Sequence, residues 1–224
     1  MVRQLLLVFS LLVTLTQAES SESKPLVGKV SGQTYISPTK AFKVPIPVLP
    51  ELGGVINDTE DVVTFQDAFN IHVSIAALAQ DATQRWELST RGTKEYLIYF
   101  FKTYVYPDFE QRFKGTRVES ARYLPTLQDG ALLTYTLLPG GSMFADRVSL
   151  AGSSDTPAVA KRGNLIFVRD GYIFVLSTEL AERVLKRSTY NKTTAEEDEF
   201  LRQRLIDLVG KMEFNQPLAA TPKK

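Results

Sequence analysis

The sequence predicts an α+β fold, an antiparallel sheet packed by helices, on three observations. Short runs of alternating apolar and polar residues come in hairpin-like pairs rather than as repeating βαβ units. An amphipathic helix with a strong N-terminal cap closes the chain. A long helical stretch of unusual aromatic content lies between them. At 224 residues, with 44% hydrophobic and 23% charged, the chain is long enough for one sizeable core.

Residues 1–18 read as a secretory signal peptide. Arg3 gives the positive start, residues 5–15 the apolar core, and Thr16-Gln17-Ala18 the small residues of a cleavage site. That core is far short of the roughly 20 residues of a membrane span, so export is expected, to a periplasmic or secreted location, with no stable span after cleavage. Cleavage would remove one basic residue and no acid, leaving 25 basic against 25 acidic. A neutral chain gains little from long-range attraction to phosphate, so nucleic acid is not an expected partner. Residues 19–32 are polar and read as a disordered leader, 216–224 as a disordered tail, and 33–215 as a single domain.

Within that domain, 33–36 and 42–46 read as short strands around Ser37-Pro38-Thr39-Lys40, the second demoted to an edge by Pro45 and Pro47. Residues 61–66 and 71–77 form the next pair. In the latter, Ile71, Val73, Ile75 and Ala77 share one face and His72, Ser74 and Ala76 the other. Residues 86–106 read as a helical region, 108–113 as a short helical turn after Pro107, and 117–123 and 131–138 as strands. Residues 152–160 form a turn-rich loop with the composition of a mobile segment. Asp170-Gly171 between two apolar runs over 164–177 is the two-residue hairpin signal. Thr178 then reads as the N-cap of a helix over 179–186. In the last helix Thr193 and Thr194 are alternative caps, each with a glutamate three residues on, and Leu201, Leu205, Leu208, Val209 and Met212 form its apolar stripe.

This order of pieces resembles the PsbP-like proteins of the Mog1/PsbP fold over about 33–215. The similar residues are Tyr35-Ile36-Ser37-Pro38 turning into Phe42-Lys43-Val44-Pro45-Ile46-Pro47, then Val62-Val63-Thr64-Phe65-Gln66-Asp67-Ala68-Phe69. Asp170-Gly171-Tyr172-Ile173-Phe174-Val175 resembles the late hairpin, followed by a helix and a short final strand at 212–214. The resemblance implies an α/β/α sandwich of Mog1/PsbP type and a non-catalytic accessory or assembly role on a larger complex. It supplies no functional residue, and 86–112 departs from it in its aromatic content.

The residues exclude several chemistries. Cysteine is absent and His72 is the one histidine, so thiolate nucleophiles, Cys metal sites and multi-imidazole centres are ruled out. Ser142, in Pro139-Gly140-Gly141-Ser142-Met143, is the most tempting nucleophile but lacks the G-x-S-x-G elbow. The same glycines lack the spacing of a phosphate loop. Asn57-Asp58-Thr59-Glu60-Asp61 is an acidic turn without EF-hand spacing and reads as solvated. Asn57 and Asn191 begin glycosylation sequons. No catalytic residue, metal or cofactor is expected.

One feature stands in excess. Trp86, Tyr96, Tyr99, Phe100, Phe101, Tyr104, Tyr106, Phe109 and Phe113 fall within 28 residues. Helical spacing sets Tyr96, Phe100 and Tyr104 on one row, with Tyr99 and Tyr106 on another. Either the whole helix is buried on the sheet, or one row packs inside while the other is left for a partner, as tyrosine suits half-wet surfaces. The expected partner-binding residues are therefore Tyr99, Tyr106, Gly140, Gly141 and Ser142, and the expected function is protein–protein contact by an exported, non-catalytic accessory protein. The alternatives are a carrier of a small apolar ligand, in a cavity between helix and sheet, and a carboxylate-dependent hydrolase.

Overall fold

The computed structural model describes residues 25–68, 71–142, 159–180, 182–183 and 189–214. The expected signal peptide, the tail at 216–224 and most of the loop at 152–160 lie outside these residues; Val159 and Ala160 open a strand.

Strands β1 (Lys29–Ser31), β2 (Thr34–Ile36) and β3 (Phe42–Pro45) pair antiparallel in sequence order. The disordered leader expected over 19–32 is thus corrected at its end, where 29–31 is strand. Asp58 anchors it by accepting from the backbone N–H of Val27 at 2.9 Å and Gly28 at 2.7 Å, and from the Tyr35 hydroxyl at 2.8 Å. Burial, then this carboxylate, push the Tyr35 pKa up. The acidic turn is therefore a structural hook at Asp58.

The main sheet contains β4 (Val55–Asp58), β5 (Val62–Gln66), β6 (His72–Ala79), β7 (Arg117–Leu124), β8 (Ala131–Pro139), β9 (Val159–Arg169) and β10 (Tyr172–Glu179). Its order is β4-β5-β6-β10-β9-β8-β7, with every neighbour antiparallel. The β9–β10 turn is the expected one: Asp170 and Gly171 have φ of 50° and 79°, the left-handed pair a two-residue hairpin needs.

The helix expected from Thr178 is a correction. β10 continues through Glu179, with Thr178 paired to Gly163 on one side and Val73 on the other, and Glu179 opposite Arg162. Sheet pairing on both sides outweighs the local capping signal. Leu180 follows as buried non-helical chain, Glu182 and Arg183 are helical, and residues 181 and 184–186 of that expected helix lie outside the described residues.

Two layers cover the sheet. On one face lies the final helix, whose caps and stripe are as expected, with β11 (Glu213–Phe214) after it beside β3. This helix, α4, runs over Thr194–Lys211, and Thr193 caps it in a reciprocal capping box with Glu196. Leu201, Leu205, Leu208, Val209 and Met212 are buried with Tyr35, Phe42, Phe65, Leu165 and Phe174. Each such side chain contributes about 1.5–3 kcal/mol. Gly163 makes the close approach possible: a Cβ there would lie 3.1 Å from Leu201 Cβ.

On the other face sit α1 (Ala82–Arg91), α2 (Thr93–Phe100) and α3 (Tyr106–Arg112). The continuous helical region expected over 86–106 is broken at Gly92, and again by a π turn at Phe101–Val105, in which the Tyr106 N–H donates to the Phe101 carbonyl. Pro107 comes next and has no N–H to restore the α pattern. Tyr96, Leu97, Phe100 and Phe101 are buried on Leu132, Ile166, Ile173 and Val175.

Candidate binding cleft

The π turn breaks the expected row of aromatics. It adds one residue to a turn, so the residues after it are rotated against those before it. Tyr96 and Phe100 are buried, whereas Tyr104 is 50% exposed. Phe101 and Phe109 take the inward positions instead. Tyr104 lies on its neighbours, 5.1 Å from the Phe100 ring and edge-on to Tyr99 at 6.2 Å. The hydrogen bond with Tyr99 raises the Tyr104 pKa.

Beside this turn lies a cleft of about 680 Å³. Its wall is Tyr104, Val105, Asp108, Phe109 and Arg112, and its floor is the helix-side face of β5, β6 and β10. Alternation along these strands places Val62, Thr64 and Gln66, Ser74, Ala76 and Leu78, and Val175 and Ser177 on that face. The register aligns them in rows: Val62, Ala76 and Val175, then Thr64, Ser74 and Ser177. Gln66 and His72 begin the next row.

One end of the cleft is closed by a buried polar network. Arg162 Nη1 donates to Glu179 Oε1 at 3.1 Å, Nη2 to Ser74 Oγ at 2.9 Å, and Nε to Asn164 Oδ1 at 3.4 Å. The guanidinium stands 5.3 Å from the Phe109 ring centre. Asn164 in turn bonds Thr134, Thr136 and Ser177. Desolvation lowers the Arg162 pKa, against the pull of Glu179. His72 is buried at the same end; desolvation lowers its pKa, opposed by Glu179, Asp67 and Glu182.

The expected partner-binding residues are only partly assembled here. Ser142 lines the cleft, and its hydroxyl donates to Glu179 Oε2. Gly140 is exposed and Gly141 buried, leading the chain from β8 to Ser142. Tyr99 is half-buried under the Arg91 guanidinium, 4.4 Å from its ring centre. Tyr106 is half-buried too, and its hydroxyl donates to the Thr116 carbonyl at 2.8 Å, so its polar tip is taken up inside the fold. Sequence reasoning missed Arg162, Glu179 and the exposure of Tyr104. Ser142 thus bonds a carboxylate that is itself bound to the Arg162 guanidinium. Asp108, the carboxylate in the lining among the described residues, pairs with Arg112 at 3.2 Å.

No family model matches the chain, and no curated protein matches it by sequence. Solved structures do resemble it. Cyanobacterial PsbP (CyanoP) from Synechocystis sp. PCC 6803 is 12% identical, with a TM-score of 0.50, over 84% of this chain and 99% of that one. The Saccharomyces cerevisiae Ran-binding protein Mog1p is 9% identical, with a TM-score of 0.47, over 84% of this chain and 96% of that one. A structure from Bacteroides thetaiotaomicron VPI-5482 is 13% identical, with a TM-score of 0.42; the match takes in 84% of this chain but spans half the length of that one. Among the described residues no helix is long and apolar enough to cross a membrane. The seven-stranded antiparallel sheet, layered between α1–α3 and α4, thus has the Mog1/PsbP-type fold that the sequence resemblance implied.

Proposed function

We propose that the chain is an exported, non-catalytic accessory protein that acts by binding another protein. The observation that carries this reading is the 680 Å³ cleft with the half-exposed Tyr104 on its wall. An aromatic ring with a wet hydroxyl beside a preformed groove is the kind of anchor that dominates protein interfaces. Ser142 and the two glycines before it form one end of the contact surface, and Tyr99 supports the Tyr104 ring. Tyr106 contributes by holding the bend through Thr116.

Affinity capture from an extract of the host's own exported fraction tests this. Tyr104→Ala should lower recovery of a stoichiometric partner by tenfold or more, with unchanged circular dichroism. Recovery equal to wild type would sink the reading.

A second reading, a carrier of a small apolar ligand, is favoured by a separate cavity of about 330 Å³ under α4. It is lined by Pro45, Ile46, Pro47, Ile71, Val73 and Leu208 among others. A ligand retained in native mass spectrometry would select it.

A further inference from the structure

The cleft floor changes in chemistry along the strands. One row is apolar (Val62, Ala76, Val175), the next is all hydroxyl (Thr64, Ser74, Ser177), and beyond it lies the Arg162–Glu179 end with Ser142. Residues on one face of a strand repeat every second position, so successive rows stand about 6.6 Å apart. Another extended chain has the same repeat. A segment laid along the floor would place side chains i and i+2 over successive rows. The cations in the lining are already paired, Arg112 with Asp108 and Arg162 with Glu179, so the surface offers little to a strongly charged ligand. Small floor residues leave room for side chains, and Tyr104 and Val105 flank the groove.

We propose that the cleft binds an extended, uncharged peptide segment of the partner carrying an apolar side chain and, two residues away, a hydroxyl or amide side chain. This specifies the chemistry of the partner and rests on the protein-binding reading. The Thr64 and Ser177 hydroxyls, which donate to the Asn57 carbonyl and to Asn164, meet the ligand as acceptors; the segment runs from Leu78, beyond the apolar row, to Ser142, beyond the hydroxyl row.

The test is a nuclear magnetic resonance titration of the full chain with two peptides of the same composition. Acetyl-Gly-Leu-Gly-Ser-Gly-amide has the two side chains two residues apart; acetyl-Gly-Leu-Ser-Gly-Gly-amide puts them on opposite faces. The first should bind at least tenfold tighter, with shifts centred on the Thr64 and Ser177 amides. Val62→Asp should abolish the preference. Thr64→Val, which keeps size and strand propensity, should equalise the first peptide with its Ser-to-Ala analogue even if Val62→Asp fails to fold. Equal binding of the two peptides, no binding of either, or shifts from octyl glucoside alone would each overturn the proposal. Loss of partner capture in Tyr104→Ala without peptide discrimination overturns this inference and leaves the protein-binding reading standing. Peptide discrimination with capture unaffected by Tyr104→Ala does the opposite.

Discussion

Lys161 and Arg162 are neighbours on β9, and each is a buried cation, yet they belong to different layers. Strand alternation sends Lys161 toward α4 and Arg162 toward the cleft. Lys161 meets three carboxylates: Glu119 at 2.5 Å, Asp198 at 2.6 Å and Glu197 at 3.1 Å. Burial opposes its charge, but those bonds outweigh the burial and raise its pKa. Arg162 is paired with the Glu179 carboxylate, and there burial prevails, so its pKa is lowered. Adjacent residues of the same charge thus face opposite balances. The α4 side compensates its cation with an excess of acid, part of it reaching solvent. The cleft side sets its ion pair among neutral hydroxyls and an amide.

The difference predicts an order of damage. Arg162→Met leaves Glu179 buried without its cation and should cost about 3–5 kcal/mol of stability. Lys161→Met should cost less, about 1–3 kcal/mol. Glu197 keeps Arg183 at 2.7 Å, and Glu119 and Asp198 retain some access to water. Urea unfolding of both variants checks this, and a larger loss for Lys161→Met would reverse the comparison.

The smallest effect sharpens the cleft side alone. His72 has a lowered pKa when folded, so the unfolded chain binds the proton more tightly. Its contribution is complete above the unfolded pKa of about 6.5 and is lost as pH falls from there through the lower folded value. Asp67, Glu179 and Glu182 face it and moderate the loss. His72→Gln should flatten the fall of the urea midpoint as pH drops below about 6.5. An unchanged slope would place the dependence elsewhere.

Much of this architecture was legible in the residues. The Asp170-Gly171 turn, the faces of β6 and the stripe of α4 follow from local chemistry, because turn geometry and periodicity act over a few positions. The cleft was not. Its closed end joins Arg162 to Ser74, 88 positions away, and such partners leave no periodic trace. A signal for Glu179 did exist. A two-residue turn fixes the register, and following the ladder outward from Tyr172 and Arg169 brings Glu179 opposite Arg162. The capping pattern at Thr178 hid it. The π turn was illegible for another reason: aromatic spacing at four residues suits an α-helix, and only packing on the sheet and Pro107 decide against it.

That π turn converts length into angle. An α-helix advances about 100° per residue, so one surplus residue acts like a single tooth slipped on a gear. Everything downstream keeps its contacts along the axis but presents a different side. Phe109 is turned into the core, and Tyr104 remains outside as the lip of the groove. A chain one residue shorter at this point would hold the same helices over the same sheet with another set of side chains toward the groove. The set of side chains this layer turns toward the cleft is therefore fixed by the count of residues between Phe100 and Pro107 as much as by their identities.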